Sequence, residues 1–221
     1  MSHDGARPRR KPGPALLALI AGATLVTSFG VVSYQDRSPA DFGTPPVAAP
    51  VSTESEPPRV RIHDGRPPAT ATTDEPVRLT IPALRVNVPV TAVGIDSRTG
   101  DFAVPESVDT VGWYRFGPDL SAATGSIVIA GHVDSATEGE GAFFRLGTLR
   151  PAAPITLTDP AGHTRTFRVT AREHYRKTAI PLDRYFSRSG PPRLTLITCG
   201  GPFNPRTHHY RDNVVVTAVP V

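Results

Sequence analysis

Residues 193–219 read RLTLITCGGPFNPRTHHYRDNVVVTAV and contain two runs with the composition of β-strands. RLTLITC and NVVVTAV are rich in β-branched and aliphatic residues, and the eleven-residue connection after Cys199, GGPFNPRTHHY, is rich in turn-forming residues. This pattern is typical of two strands joined by a loop. If the strands pair antiparallel, the end of the first lies beside the start of the second, which places Arg211 next to Cys199.

Further short runs of the same kind precede these two. They are separated by turn signals such as DSRTG and DPAG, and the helix-like pieces, around 142–149 and 181–186, are short. Strands at this spacing predict one all-β barrel or sandwich over residues 77–221, which is long enough for a real core. The runs are VRLTI (77–81), VNVPVTAVGI (86–95), GSIVIAGHV (125–133), PITLT (154–158) and RTFRVTARE (165–173).

The N-terminal part of the chain has the pattern of a membrane anchor. A basic cluster lies in residues 1–14, and the apolar run ALLALIAGATLVTSFGVV begins at Ala15. As a helix these eighteen residues span roughly 27 Å, enough for a bilayer core. The charge distribution predicts a single-pass helix over 15–33 with residues 1–14 in the cytoplasm. A cleavable signal peptide is the alternative, although no A-x-A cleavage site follows the run.

Residues 34–76 are rich in Pro, Ser, Thr, Ala and charge. Such a composition buries too little apolar surface to offset the entropy of ordering, so the segment is predicted to be a disordered, extended linker. The linker would hold the domain over 77–221 on the outer side of the cell membrane. A proline-rich ligand for another protein is the alternative interpretation.

Composition excludes several classes of function. The single Cys rules out an internal disulfide framework and a multi-cysteine zinc site. The formal charge of +4 comes without a run of basic residues long enough for a nucleic-acid arm, so no nucleic-acid partner is expected. The lipid bilayer is the partner that the N-terminal helix implies.

Cys199 ends a strand-like run and is followed by Gly200 and Gly201. Free cysteines are usually buried and structural. A lone thiol in an exported chain instead suggests a reactive role, and two glycines would let the backbone turn and a ligand approach. Both interpretations remain open from Cys199 alone.

His132 follows the apolar run SIVIA in the string AGHVD, which points to the rim of a cleft at the end of a buried strand. A lone histidine is more often structural, but a cysteine nucleophile needs a proton acceptor and donor, for which His132 is the natural candidate. A fixed guanidinium at Arg211 could stabilise a thiolate or an oxyanion, whereas most single arginines are surface charges. The histidines that compete with His132 are His163, His174, His208 and His209.

TLITC, the upstream GHVD string and the arginine that opens the last strand together resemble the sortase family. The longer string ITCGGPFNPRTHHYRDNVVVTA is most similar to class F sortases of actinobacteria. The resemblance covers about 76–221, and the anchor and linker match the usual layout of the family.

The resemblance implies an eight-stranded β-barrel with short helices and a cysteine transpeptidase activity. Cys199 would be the nucleophile, His132 the general acid/base, and Arg211 the residue that positions substrate and stabilises the oxyanion. Thr198, Gly200 and Tyr210 would contribute to substrate binding. The substrates would be exported proteins with a C-terminal Leu-Pro-x-Thr-Gly-type signal, cleaved between Thr and Gly and transferred to a cell-wall or pilin amine.

The chemistry implied by the resemblance needs no cofactor and no metal. Some sortases of another class bind calcium through acidic loop residues, but Asp134, Glu138 and Glu140 are expected to be solvated here. Three rival hypotheses are an L,D-transpeptidase, whose Ser-x-Gly-Cys context is missing, a membrane-tethered β-domain that binds ligands without chemistry, and a metal site. The metal site would use Cys199, His132, His208 and His209, whose spacing is not a standard zinc pattern.

Overall fold

The computed structural model of the protein describes residues 39–46, 74–96 and 102–221. Strands dominate these residues, and the helical pieces are single turns. The strands are β1 (Arg78–Ile81), β2 (Val86–Val93), β3 (Val111–Tyr114), β4 (Ser126–Ala130), β5 (Asp134–Ser135), β6 (Gly139–Glu140), β7 (Pro154–Thr158), β8 (Thr164–Arg176), β9 (Arg193–Asn204) and β10 (His209–Pro220).

Eight of these strands form a closed barrel in the order β1-β2-β3-β4-β9-β10-β8-β7, and β7 pairs with β1 to complete it. The eight-stranded barrel that the family resemblance implies is therefore confirmed. Neighbours pair antiparallel except β2 with β3 and β4 with β9, which are parallel. Within the described residues, the two short strands β5 and β6 pair only with each other.

Alternating side chains of the barrel strands fill the core. Leu194 and Leu196 of β9, for example, are fully buried and lie opposite Ala218 and Val216 of β10. Residues of the same strands that alternate with these lie on the outer face of the barrel. The core also contains Leu79, Ile81, Ile127, Ile129, Phe143, Ile155, Leu157, Phe167 and Val169.

The predicted helical pieces are shorter in the structure. The piece around 142–149 contains only the 3₁₀ turn Leu146–Thr148, and the piece around 181–186 contains the one-turn helix α1, Leu182–Tyr185. Two further 3₁₀ turns cover Pro82–Leu84 and Lys177–Ala179. Although α1 is short, it is fixed to β8 because the Tyr185 hydroxyl donates to the Glu173 carboxylate at 2.8 Å.

The connection between the last two strands differs from the predicted eleven-residue loop. β9 continues to Asn204 and β10 begins at His209, so only residues 205–208 form a turn. His208 has a positive φ of 55° within this turn. Cross-strand hydrogen bonding extends the ladder through glycine and proline positions whose intrinsic strand propensity is low.

Residues 39–46, which the sequence assigns to the disordered linker, are ordered on the barrel. We call them the docked segment. Phe42 and Arg172 of β8 exchange two backbone hydrogen bonds of 3.1 and 2.9 Å, as in an antiparallel sheet. β8 extends well beyond β7 at this point, since β7 pairs only with Thr164–Arg168. The docked segment therefore covers a sheet edge that β7 leaves open.

The docked segment also satisfies a buried charge. Arg172 is only 4% exposed, and its guanidinium donates to the carbonyl oxygens of Leu149, at 2.6 Å, and of Ala40. It also lies 4.8 Å from the centre of the Phe42 ring. Burial lowers the pKa of Arg172, and the nearby Asp41 carboxylate opposes that change.

The other predictions for the N-terminal part concern residues outside the described ranges. These are the cytoplasmic segment 1–14, the membrane helix 15–33 and most of the linker. No helix within the described residues is long and apolar enough to span a membrane.

The docked segment is expected to stabilise the barrel. In a chain of residues 39–221, Phe42→Ala removes a ring that packs on the core and on the buried Arg172 guanidinium. We expect a loss of about 2 kcal/mol and a fall in Tm of about 4–8 °C. Phe144→Ala, at a ring that is 42% exposed, is the control and should change Tm little. Equal melting curves for Phe42→Ala and the unsubstituted chain would contradict the docking.

Candidate active site

Cys199 lies on the outer face of the barrel. It pairs with Asn213 of β10, and two residues earlier Ile197 pairs with Val215 on the same face. The residue is partly exposed, and its thiol forms no disulfide. Cys199 is therefore not a fully buried structural cysteine.

The parallel pairing of β4 and β9 brings His132 to the same edge of the sheet. Ala130 pairs with Ile197, and the alignment continues because the Gly131 N–H donates to the Ile197 carbonyl at 3.2 Å. The Thr198 hydroxyl donates to the Gly131 carbonyl at 2.8 Å. His132 and Cys199 thus occupy equivalent positions, each two residues after the Ala130–Ile197 pair. Neighbouring strands lie about 4.8 Å apart.

A hydrogen bond of 2.8 Å joins Nε2 of His132 to the carbonyl oxygen of Pro105. Because a carbonyl oxygen can only accept, Nε2 must carry a proton. The other ring nitrogen, Nδ1, is then the atom that can take up or release a proton in a reaction. Pro105 consequently fixes both the orientation of the imidazole and the division of roles between its nitrogens.

A cleft of about 590 Å³ opens over Cys199 and His132. Most of its lining is apolar, and Lys177 adds a positive charge. The described residues that line it are Ile95, Phe102, Val104, Tyr114, Ala130, Gly131, His132, Lys177, Ile180, Leu182, Phe186, Ile197, Thr198, Cys199 and Asn213.

Three aromatic rings form one wall of the cleft. Tyr114 and Phe186 meet edge to face at 5.2 Å between ring centres, and Phe102 contacts the two rings at 5.8 and 5.7 Å. Such tilted contacts are favourable for aromatic pairs and hold the rings in place. The wall offers an apolar, preformed surface for an extended chain.

Arg211 lies at a β-bulge between Tyr210 and Asp212 and does not line the cleft directly. Its guanidinium donates to the Asp212 carboxylate from Nε at 2.9 Å and from Nη2 at 2.7 Å. These hydrogen bonds lower the pKa of Asp212. The side chain of Arg211 is 52% exposed and that of Asp212 only 12%.

The residues predicted to bind substrate have different surroundings. Thr198 lines the cleft, whereas Gly200 and Tyr210 do not. A Cβ at Gly200 would lie 2.7 Å from the Val214 side chain. At Gly201, where φ is +71°, a Cβ would lie 2.2 Å from the Asp212 carboxylate. Side chains of β10 thus fill the space at the two glycines. The sequence had suggested that this space would be open to a ligand, and the structure differs on this point.

The competing histidines all lie away from the cleft lining. His163 bonds Asp159 in the turn before β8, at 2.8 Å, and His174 bonds Asp41 of the docked segment. His208 is in the β9–β10 turn and His209 opens β10. No group of three or more His, Cys, Asp or Glu side chains among the described residues could hold a metal ion.

Comparison with known proteins places this geometry in a family. The sortase domain model matches residues 79–221, about two thirds of the chain. The chain belongs to the sortase family. Sortases are a family of cysteine transpeptidases.

Solved sortase structures share the fold of this sortase at low sequence identity. Sortase A from Corynebacterium diphtheriae, a lid mutant, is 23% identical with a TM-score of 0.50, over 66% of this chain and 70% of that one. The SrtA sortase from Actinomyces oris is 20% identical with a TM-score of 0.50, over 76% and 87% of the two chains. No relative was found among curated proteins.

Several residues of the sortase cleft were not anticipated from the sequence. Pro105, which orients His132, lies in a segment without strand or motif signals, and the aromatic wall combines residues far apart in the chain. Asn213 is different, because its place opposite Cys199 follows from the register of the two last strands. Only that residue had a usable signal in the sequence.

The Arg211–Asp212 pair predicts a pH-dependent stability. Because the pKa of Asp212 is lower in the folded than in the unfolded chain, its ionised form stabilises the fold. This contribution is complete above the pKa of the unfolded chain, near pH 4, and is lost as the pH falls through the pKa of the folded chain. Asp212→Asn should therefore lower Tm by about 2–4 °C at pH 7 and by progressively less below pH 4. Asp109→Asn, at an exposed position, is the control. A Tm difference that stays constant down to pH 2 would argue against this pair.

Proposed function

We propose that this sortase is a membrane-anchored, class F-like transpeptidase that cleaves a Leu-Pro-x-Thr-Gly-type sorting signal between Thr and Gly. It joins the new C-terminus to an amine of the cell wall or of a pilin. The observation that carries the proposal is the parallel register of β4 and β9, which brings His132 and Cys199 to one edge of the sheet and into one cleft.

In the proposed first step, the Cys199 thiolate attacks the carbonyl carbon of the threonine. The tetrahedral intermediate collapses, the Thr–Gly bond breaks, and the glycine amine leaves with a proton from His132. The product is a thioester between Cys199 and threonine. In the second step an incoming amine attacks the thioester, returns a proton to His132 and releases Cys199.

The hydrogen bond between His132 and Pro105 supports a specific role for each ring nitrogen. Because Nε2 donates to the carbonyl of Pro105, Nδ1 is the atom proposed to exchange protons with the leaving and entering amines. The same bond keeps the imidazole at the cleft in the absence of substrate. A fixed imidazole reduces the entropy cost of reaching the reactive geometry.

Arg211 is proposed to stabilise the oxyanion of the tetrahedral intermediate. In the structure its guanidinium is bound to the side chain of the next residue, Asp212. Asp212 pairs with Gly200 across β9 and β10. The Arg211 side chain is 52% exposed, and we propose that its guanidinium turns from Asp212 toward the substrate oxygen as negative charge develops there.

The mostly apolar cleft fits the leucine and proline of a sorting signal, and the aromatic wall offers them a preformed surface. The proposed membrane helix over 15–33 would place the domain outside the cell, where exported substrates are held at the same membrane. Tethering enzyme and substrate to one surface raises their effective concentration.

The proposed reaction is tested with residues 39–221, a quenched Leu-Pro-Asn-Thr-Gly peptide and an added amine, followed by mass spectrometry. We expect a product in which threonine is joined to the amine. Cys199→Ala should abolish it, and His132→Asn should lower the rate about 10²–10⁴-fold. His163→Asn is the matched control, since His163 lies in a turn outside the cleft and should keep the wild-type rate.

Each negative result has a distinct meaning. No cleavage by a chain whose thiol is readily alkylated would exclude this peptide as the substrate and direct the search to other sorting sequences. No cleavage together with an unreactive thiol would overturn the catalytic proposal in favour of a ligand-binding β-domain. Product formation by Cys199→Ala would exclude the thioester route.

A further inference from the structure

The segment that carries His132 is a separate structural unit at the edge of the barrel. We call residues 131–141 the histidine loop. Its strands β5 and β6 pair only with each other, and backbone hydrogen bonds from Gly141 to Val133, at 2.9 Å, and from Phe143 to His132, at 3.1 Å, close its base. After Gly131 the loop leaves the β4–β9 ladder, and beyond that point the Val108 N–H donates to its Glu138 carboxylate at 3.2 Å.

A side-chain hydrogen bond ties this loop to the hairpin that carries the thiol. The Tyr210 hydroxyl, at the start of β10, donates to the Asp134 carboxylate on β5. The Tyr210 ring packs on Phe203 across the β9–β10 hairpin, with 5.1 Å between ring centres. The bond therefore joins the element that carries His132 to the element that carries Cys199.

The surroundings keep the Tyr210 hydroxyl protonated. Burial, the hydrogen bond to Asp134 and the negative charges of Asp134 and Cys199 raise the pKa of Tyr210 to about 12. The phenol is consequently protonated, and able to donate, at neutral pH.

We propose that Tyr210 and Asp134 are positioning residues that hold the histidine loop, and with it His132, beside Cys199. The effects on kcat expected below rest on the proposed function. It replaces the predicted role of Tyr210 in substrate binding, since Tyr210 does not line the cleft and its hydroxyl is already bound to Asp134. Asp134 is accordingly not a merely solvated carboxylate.

The kinetic test uses the full chain in mild detergent with the Leu-Pro-Asn-Thr-Gly peptide. Tyr210→Phe and Asp134→Ala should each lower kcat about tenfold and change KM less than twofold, because the bond orients a catalytic group and does not contact substrate. The double variant should be no slower than either single variant, as expected for one shared interaction. Asp134→Asn should recover most of kcat, since its amide oxygen can still accept from Tyr210.

A second readout does not require the peptide to be a substrate. The rate of Cys199 alkylation by iodoacetamide is measured against pH. Displacing the His132 imidazolium, whose positive charge favours a thiolate, should move the half-maximal pH upward by about 0.5–1 for Tyr210→Phe. Asp134→Ala should lie above Asp134→Asn by a similar amount, since both variants remove the charge and only Ala also removes the acceptor. Simple removal of the Asp134 charge would move it downward, because a neighbouring negative charge disfavours a thiolate. Asp134→Asn, which removes the charge but keeps an acceptor, should show that downward shift.

Tyr175→Phe is the matched control. It also removes a hydrogen bond between a tyrosine hydroxyl and a carboxylate, that of Glu173 at 2.9 Å, but outside the cleft lining. It should leave kcat and the alkylation profile unchanged. If Asp134→Ala fails to fold, as judged by circular dichroism, Tyr210→Phe, which removes a single oxygen atom, carries the test.

Two results would overturn the inference. One is an alkylation profile in Tyr210→Phe equal to that of the unsubstituted chain. The other is independent, multiplicative effects of Tyr210→Phe and Asp134→Ala on kcat. If the unsubstituted chain does not cleave the peptide, the proposed substrate is wrong, while the alkylation shifts still decide whether Tyr210 and Asp134 position the histidine loop.

Discussion

The parallel pairing of β4 and β9 is the constraint on which the site depends. Parallel strands end at the same edge of a sheet, so residues 67 positions apart in the chain, such as Gly131 and Thr198, become hydrogen-bonded neighbours. A buried hydrogen bond of 2.8 Å between Ser126 and Thr195 fixes the register at the other end. A slip of one residue would turn Cys199 from the outer face into the core.

Sequence reasoning predicted the barrel strands well where β-branched residues dominate, as in PITLT at 154–158, whose bounds match β7. It missed β3, Val111–Tyr114, because the strand is four residues long and contains a glycine. It also predicted β9 to end at Cys199 and β10 to begin near Asn213, whereas the two strands continue to Asn204 and from His209 through residues typical of loops. In each case pairing with a neighbouring strand outweighs local propensity, and a single sequence does not display that pairing.

The site shows the same division. The adjacency of Cys199 and the start of β10 follows from simple hairpin geometry, so Asn213 could have been found from the register. The position of His132 beside Cys199 could not, since the sequence does not reveal that β4 and β9 are neighbours or parallel. The docked segment escaped prediction because composition averages over the whole linker, whereas docking depends on Phe42 and one buried arginine, Arg172.

Burial divides the arginines of this chain into structural and reactive groups. Arg172 and Arg193 are 4% and 3% exposed, and backbone carbonyls accept their hydrogen bonds. A buried guanidinium held in this way cannot turn toward a substrate without leaving carbonyl oxygens unsatisfied. Arg211 is half-exposed, and it donates to the carboxylate of Asp212, whose side chain is only 12% exposed. The proposed oxyanion role therefore suits Arg211 better than Arg172 or Arg193, because about half of its side chain is exposed while theirs are buried.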